Sequence, residues 1–181
     1  MRKRGLPPLF TATLLVVLAC CAQPPKTEAE RTITDRGRGV RYVVPDGWTN
    51  TDGEVRSPKG SLLTLRVYDL VEADKRFVRG LPDSLLPQLL EWSKYYYVVL
   101  DKPSRRKATV AGLPATEFIY PIKVRPTDPP SEVIYWVVIR ETRLFVIRGA
   151  FPSSGLAVDE PVLRKIVDDW VFLPEGGGPA G

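Results

Sequence analysis

Apolar and polar positions recur with two different periods along this chain, and the changes of period mark its elements. Val40-Arg41-Tyr42-Val43-Val44 is a short β-branched and aromatic run closed by Pro45-Asp46-Gly47, whose proline and glycine suit a tight turn ahead of Trp48. After a second turn, Ser57-Pro58-Lys59-Gly60, the positions Leu63, Leu65, Val67 and Asp69 alternate with Thr64, Arg66 and Tyr68. A period of two sends successive side chains to opposite faces, so this strand has a drier and a wetter side and belongs in a hairpin. From Ser84 the period lengthens: Leu85, Leu86, Leu89, Leu90, Trp92, Ser93, Tyr96 and Tyr97 recur at helical spacing. That spacing predicts an amphipathic helix, with Ser84 as its N-cap and Pro87 in the first turn, where a missing N–H does little harm.

Arg105 to Val110 reads as a strand, Ala111-Gly112-Leu113-Pro114 as a turn, and Ala115 to Val124 as a further strand. Pro121 cannot donate to a ladder, which predicts that this strand is interrupted or lies at an edge. Glu132 to Arg140 and Leu144 to Ala150 flank Glu141-Thr142-Arg143 and predict a long hairpin. Val162, Leu163, Ile166, Val167 and Trp170 form the apolar stripe of a last helix, with Asp159 expected as its N-cap and Pro161 near its start. Arg164, Lys165, Asp168 and Asp169 are expected on its solvent side. Strands in hairpins, one helix in the middle and one at the end predict a single α+β domain, an antiparallel β-sheet flanked by helices.

The first residues follow neither period. Arg2, Lys3 and Arg4 precede an apolar run from Leu9 to Ala19, the layout of an export signal. The run is about half of the roughly 20 residues that a membrane-spanning helix needs, and no basic stop-transfer segment follows it. Val17-Leu18-Ala19-Cys20 resembles the lipobox of bacterial lipoproteins, with Val17 where that pattern prefers leucine. The resemblance implies cleavage between Ala19 and Cys20, a diacylglyceryl group on the Cys20 sulfur and an acylated new amino terminus. An ordinary secretory signal is the alternative, but residues 12 to 22 offer only weak Ala-x-Ala sites. Each buried acyl methylene contributes about 0.8 kcal/mol, so two or three chains make a lasting anchor. The expected division is therefore a lipoprotein signal peptide over 1–19, a lipidated flexible tether over 20–37, the folded domain over 38–173 and a Gly/Pro-rich tail over 174–181.

Composition narrows the chemistry. The chain has 26 Lys+Arg against 21 Asp+Glu; without the three basic residues of the signal this becomes 23 against 21, about +2, too balanced for nucleic-acid binding. It has no histidine, and its two cysteines are the adjacent Cys20 and Cys21, so the folded body has neither the commonest neutral-pH base nor a thiolate cluster. No disulfide braces the body, and stability must come from packing.

Gly39-Val40-Arg41-Tyr42-Val43-Val44-Pro45-Asp46-Gly47-Trp48, Val110-Ala111-Gly112-Leu113-Pro114-Ala115 and the closing Trp170-Val171-Phe172 together resemble the PsbP-like superfamily. Its members open on a strand ending in Pro-x-Gly-Trp, carry a Val-x-Gly-x-Pro-Ala turn and end in an aromatic strand. The resemblance implies a sheet flanked by helices and a role in binding or assembling partners without catalysis. No ligand-bearing motif of the group can be matched to positions here.

Candidate chemistry is sparse. Ser93-Lys94 and Ser104-Arg105 are neighbours in sequence whose side chains point apart, and Lys59-Gly60-Ser61 lacks the earlier glycine of a phosphate loop. Asp159-Glu160 reads as helix capping and Asp168-Asp169 as a solvated face rather than cation sites. Of Trp92, Tyr95, Tyr96 and Tyr97, helical spacing sends two to the core and leaves about one exposed for stacking. Arg66, Arg140, Arg143 and Arg148 are candidates to gather on one sheet face and meet an anionic lipid or glycan phosphate. The expectation is a noncatalytic lipoprotein of the bacterial cell envelope, held to the membrane through acyl chains on Cys20, with the outer membrane favoured in a Gram-negative host. The same expectation gives it an unidentified envelope protein as partner and no metal, cofactor or catalytic residue. Two alternatives remain: a carrier of an apolar ligand, which needs a cavity of about 300 Å³, and a small hydrolase using paired carboxylates in a pocket.

Overall fold

A computed structural model describes residues 31–70 and 80–174 of the chain. Its strands are β1 (Arg31–Asp35), β2 (Val40–Val44), β3 (Thr49–Thr51), β4 (Glu54–Arg56), β5 (Leu62–Asp69), β6 (Val98–Val99), β7 (Ser104–Val110), β8 (Leu113–Lys123), β9 (Ser131–Arg140), β10 (Arg143–Phe151) and β11 (Val171–Phe172). Its helices are α1 (Leu81–Ser84), α2 (Leu86–Tyr96) and α3 (Ser153–Asp168). An antiparallel sheet runs β3-β4-β5-β10-β9-β8-β6, with β7 also paired to β8, and β1-β2-β11 form a second sheet of three strands.

The strand period decides what each face of the larger sheet buries. Phe145, Ile147 and Phe151 of β10 share one face with Ile134, Trp136 and Val138 of β9. They meet Leu163, Ile166 and Val167 of α3 and Val40, Tyr42 and Val44 of the smaller sheet. Leu144, Val146 and Ala150 point the other way with Val133, Tyr135 and Val137, against Leu89 of α2. Burying each large apolar side chain contributes about 1.5–3 kcal/mol, so both helices are held by their stripes and the sheet has a core on either side. The long hairpin is present as expected, β9 and β10 being joined through Glu141 and Thr142.

Local signals misplace several boundaries. β1 pairs with β2 from Arg31↔Val44 to Asp35↔Val40, and Ile33 packs on the core, so a strand occupies part of the stretch expected to be tether. One apolar residue among Thr32, Thr34 and Asp35 looks like linker, because an edge strand held by ladder bonds needs little burial. The signal peptide, Cys20 and the tail beyond Pro174 lie outside the described residues. Ser84 is not the N-cap of the central helix: it ends α1, its Oγ donates to the Leu81 carbonyl at 2.8 Å, and α2 starts at Leu86 without a side-chain cap. Asp159 does not cap α3, which begins at Ser153 and holds both Asp159 and Pro161 in its interior. Pro161 removes only one N–H, to the Ala157 carbonyl, and burial of the α3 stripe outweighs that loss.

Pro121 is a further correction. β8 runs through it without a break, paired to Glu132 of β9. On its other side β7 ends opposite Ile119 and β6 begins opposite Ile122, so the proline falls where the neighbouring strands change over. The turn between β7 and β8 is also tighter than expected. Ala111 and Gly112, both at positive φ (50° and 76°), complete it, and Leu113 and Pro114 already belong to β8.

Candidate functional site

Arg66 and Arg148 stand diagonally across a strand pair. Arg66 lies opposite Val146 and Arg148 opposite Thr64, so both side chains leave the same face, with Cα atoms about 7–8 Å apart. This face is the one α2 covers, and the helix presents Trp92 and Tyr96 there, four residues and roughly 6 Å apart along its axis. The two spacings match. Arg66 Cζ lies 4.6 Å from the Trp92 ring centroid, and Arg148 Cζ lies 5.2 Å from that of Tyr96. Each stack contributes about 0.5–2 kcal/mol and holds a guanidinium against a ring. Thr64, Tyr135 and Val146 from the sheet and Asp52, Gly53 and Glu54 from the β3–β4 hairpin complete a cleft of about 260 Å³.

Arg38, also lining the cleft, is already committed: Nη1 donates to Asp35 Oδ2 at 2.6 Å and Nη2 to the Asp52 carbonyl at 3.3 Å. Glu54 is paired with Arg56 at 2.9 Å. Among the described residues, no carboxylate pairs with Arg66 or Arg148. Arg148 Nε is buried without a hydrogen-bond partner. Leaving such a donor unsatisfied costs about 1–3 kcal/mol, and native proteins keep few of them. Burial pushes the Tyr135 phenol up, opposed by its 3.1 Å hydrogen bond with Ser93 Oγ and by the charge and hydrogen bonding of Arg148, so the hydroxyl stays protonated at neutral pH.

The four arginines expected on one face divide into two pairs. Arg140 and Arg143 occupy the α3 face: Arg140 Nη1 donates to the Leu173 carbonyl at 2.8 Å and Arg143 Nη2 to the Gly37 carbonyl at 3.3 Å. Arg140 and Arg143 face one another across the β9–β10 turn, one residue out of phase with Arg148. Of the four aromatic residues at the end of α2, Tyr95 (82%) and Tyr96 (51%) are exposed rather than one alone. The helix stops at Tyr96, and Tyr97, in extended backbone, packs with Trp92 against the core beneath α2, the two expected there.

The remaining candidates are committed to the fold. Ser93 Oγ donates to the Leu89 carbonyl at 2.9 Å, and the exposed Lys94 pairs with Glu91 at 3.1 Å. Ser57 Oγ accepts from the Lys59 and Ser61 backbone N–H groups, which makes Lys59-Gly60-Ser61 a turn. Asp159 is buried against Ser57, and Glu160 accepts from Arg164 at 2.8 Å. Arg164 is therefore not on the solvent side: its Nη1 reaches Glu117 Oε1 at 2.6 Å, where the Arg106 guanidinium also binds. Sequence reasoning overlooked this ion cluster, for Glu117 is a polar residue on the inward period of β8; that phase was its signal. The raised carboxyls are Glu132, by burial and then by Glu160, and Asp168, by burial and then by Asp169 against the lowering effect of Arg164. Neither lines the cleft. Among the described residues, no three His, Cys, Asp or Glu side chains are grouped to hold a metal ion, and no helix is long and apolar enough to cross a membrane. A separate open groove of about 370 Å³ lies between β2 and α3, lined by Val43, Pro45, Pro161, Val162 and Ile166 with Lys165 and Asp169.

The sheet with its two helical covers is a PsbP-like α+β fold, the class expected from the opening, turn and closing motifs. It is similar to the solution structure of cyanobacterial PsbP (CyanoP) from Synechocystis sp. PCC 6803, at 10% identity and a TM-score of 0.51, covering 86% of this chain and 98% of that one. A crystal structure from Bacteroides thetaiotaomicron matches at 9% identity and a TM-score of 0.51, over 82% of this chain and 50% of that one. A protein of unknown function from Pseudomonas aeruginosa matches at 13% identity and a TM-score of 0.50, over 80% of this chain and 98% of its own. At these identities the likeness is one of fold alone. No family model and no curated protein matches the sequence.

Proposed function

We propose that this chain is a membrane-anchored, noncatalytic lipoprotein of the bacterial cell envelope that binds a partner protein through the Arg66–Arg148 cleft. Acyl chains on Cys20 hold it to the membrane, on the periplasmic side of the outer membrane in a Gram-negative host. The observation that carries the binding role is the pair of guanidiniums held on Trp92 and Tyr96 with no carboxylate partner among the described residues. A domain gains nothing by concentrating unpaired positive charge in a cavity unless a ligand neutralises it. The absence of histidine from the sequence, and the placement of Glu132 and Asp168, the carboxyls raised among the described residues, outside that cavity, support binding over hydrolysis.

Affinity capture from the native membranes tests this, comparing wild type, Cys20→Ser and the Arg66→Ala/Arg148→Ala pair. The expected result is a partner that survives loss of the anchor and disappears with the two arginines. A partner retained by the arginine variant refutes the cleft as its site. The apolar groove supports a second reading, a carrier of an apolar ligand. Saturable displacement of a fluorescent fatty acid, abolished by Val162→Asp, would favour that reading instead.

A further inference from the structure

We propose that the cleft takes a carboxylate, presented as an acidic side chain of a partner polypeptide and received by Arg148 and Arg66. This rests on reading the cleft as the binding site and names what that site recognises. The protein holds its own template for the arrangement. At Glu117, Arg106 donates side-on, through Nε to Oε2 and through Nη2 to Oε1 at 3.2 Å, while Arg164 Nη1 reaches Oε1 at 2.6 Å. Arg164 lies over the Trp136 ring at 5.5 Å, as Arg66 and Arg148 lie over theirs. The cleft likewise brings two guanidiniums to one space, and one of them keeps a buried Nε with no acceptor. The missing component is the carboxylate. Side-on pairing through Nε and a terminal nitrogen is the geometry in which arginine matches a carboxylate with two parallel bonds.

Charge favours a monoanion over a phosphoryl dianion. Of the charged groups lining the cleft, Arg38 is offset by Asp35 and Glu54 by Arg56. Arg66 and Arg148 against Asp52 leave one net positive charge, which a single carboxylate neutralises and a phosphate dianion overshoots. A space of about 260 Å³ admits a side chain and its adjoining backbone, and the Trp92 and Tyr96 rings suit the methylenes of a glutamate.

The test uses the full-length protein in detergent micelles, labelled so that arginine Nε–Hε resonances are read by NMR. Acetyl-Gly-Glu-Gly-amide offers only a side-chain carboxylate, acetyl-Gly-Ala only a terminal one, and inorganic phosphate is the third probe. The expected result is a saturable shift of the Arg148 Nε–Hε resonance with the Glu peptide. Arg66→Lys and Arg148→Lys, which keep the charge and lose the fork, should each weaken binding on the order of tenfold. Phosphate or the terminal carboxylate binding more tightly than the Glu peptide overturns the proposal, as does an unmoved resonance with all three. If Arg148→Lys fails to fold, Arg66→Lys, at an exposed position, carries the test. Partner capture with Arg66→Lys separates the two levels. Capture lost while the Glu peptide fails to bind overturns the carboxylate and leaves the cleft as the site; capture unchanged removes the cleft as well.

Discussion

Ser57 Oγ, on the turn before β5, donates to Asp159 Oδ2 of α3 at 2.5 Å across 102 residues of sequence. The same oxygen accepts the Lys59 and Ser61 backbone N–H groups at 3.1 and 2.9 Å, so one hydroxyl shapes its own turn and ties it to the last helix. The approach is close enough to need a glycine beside it. A Cβ on Gly155 would meet Ser61 Oγ at 2.6 Å and Asp159 Oδ2 at 2.8 Å.

Ser57→Ala removes the donor to a carboxylate whose residue is 4% exposed. The expected cost is about 1.5–3 kcal/mol, the range for hydrogen bonds to charged groups. Urea unfolding of the two proteins measures it; a difference under about 0.5 kcal/mol would mean that Asp159 finds another donor.

Glu117 is buried while its partners reach solvent, the Arg106 side chain being 54% and the Arg164 side chain 27% exposed. Which partner is removed should therefore matter. Arg164→Ala strands a buried charge on one half-exposed arginine and is expected to cost about 2–3 kcal/mol, below the full value for a buried pair because water still screens the site. Glu117→Leu deletes the buried charge and frees two arginines to hydrate, so it should stay within about 1.5 kcal/mol of wild type. Denaturant midpoints of both variants decide it; the reverse order would contradict this account.

Glu132 has its carboxyl held above the ordinary 4.5 by burial first and then by the Glu160 charge, with Arg164 and Arg106 opposing. Between that ordinary value and the raised one the unfolded chain has released this proton while the folded one retains it. The stability Glu132 contributes is therefore complete at lower pH and is lost as pH rises through the raised value. Glu132→Gln cannot ionise, so relative to wild type it should gain stability on going from pH 4 to pH 7. Unfolding curves across that interval check the sign.

Much of the fold could be read from local pattern. The alternation of Leu63, Leu65 and Val67 with Thr64 and Arg66 identified β5 and its wet face, and the runs around Glu141-Thr142-Arg143 identified the β9–β10 hairpin. Boundaries failed where tertiary contact overrides the local signal. Asp159 has the composition of an N-cap but spends its side chain on Ser57, and α3 begins before it. Ile33 alone does not announce a strand, because β1 depends on β2 for its bonds.

By itself the amino-acid order determined the long strands and the two main helices, the two-faced character of the sheet strands, the absence of histidine and the lipobox-like cysteine, since periodicity and composition are properties of neighbours in the chain. Only the tertiary structure decided that Arg66 and Arg148 share a face while Arg140 and Arg143 take the other, and that Trp92 and Tyr96 match the first pair. Those relations depend on the register of β5 against β10 and on the line along which α2 crosses them. Such register is a balance of contacts among segments far apart in sequence, and no single stretch of residues encodes it.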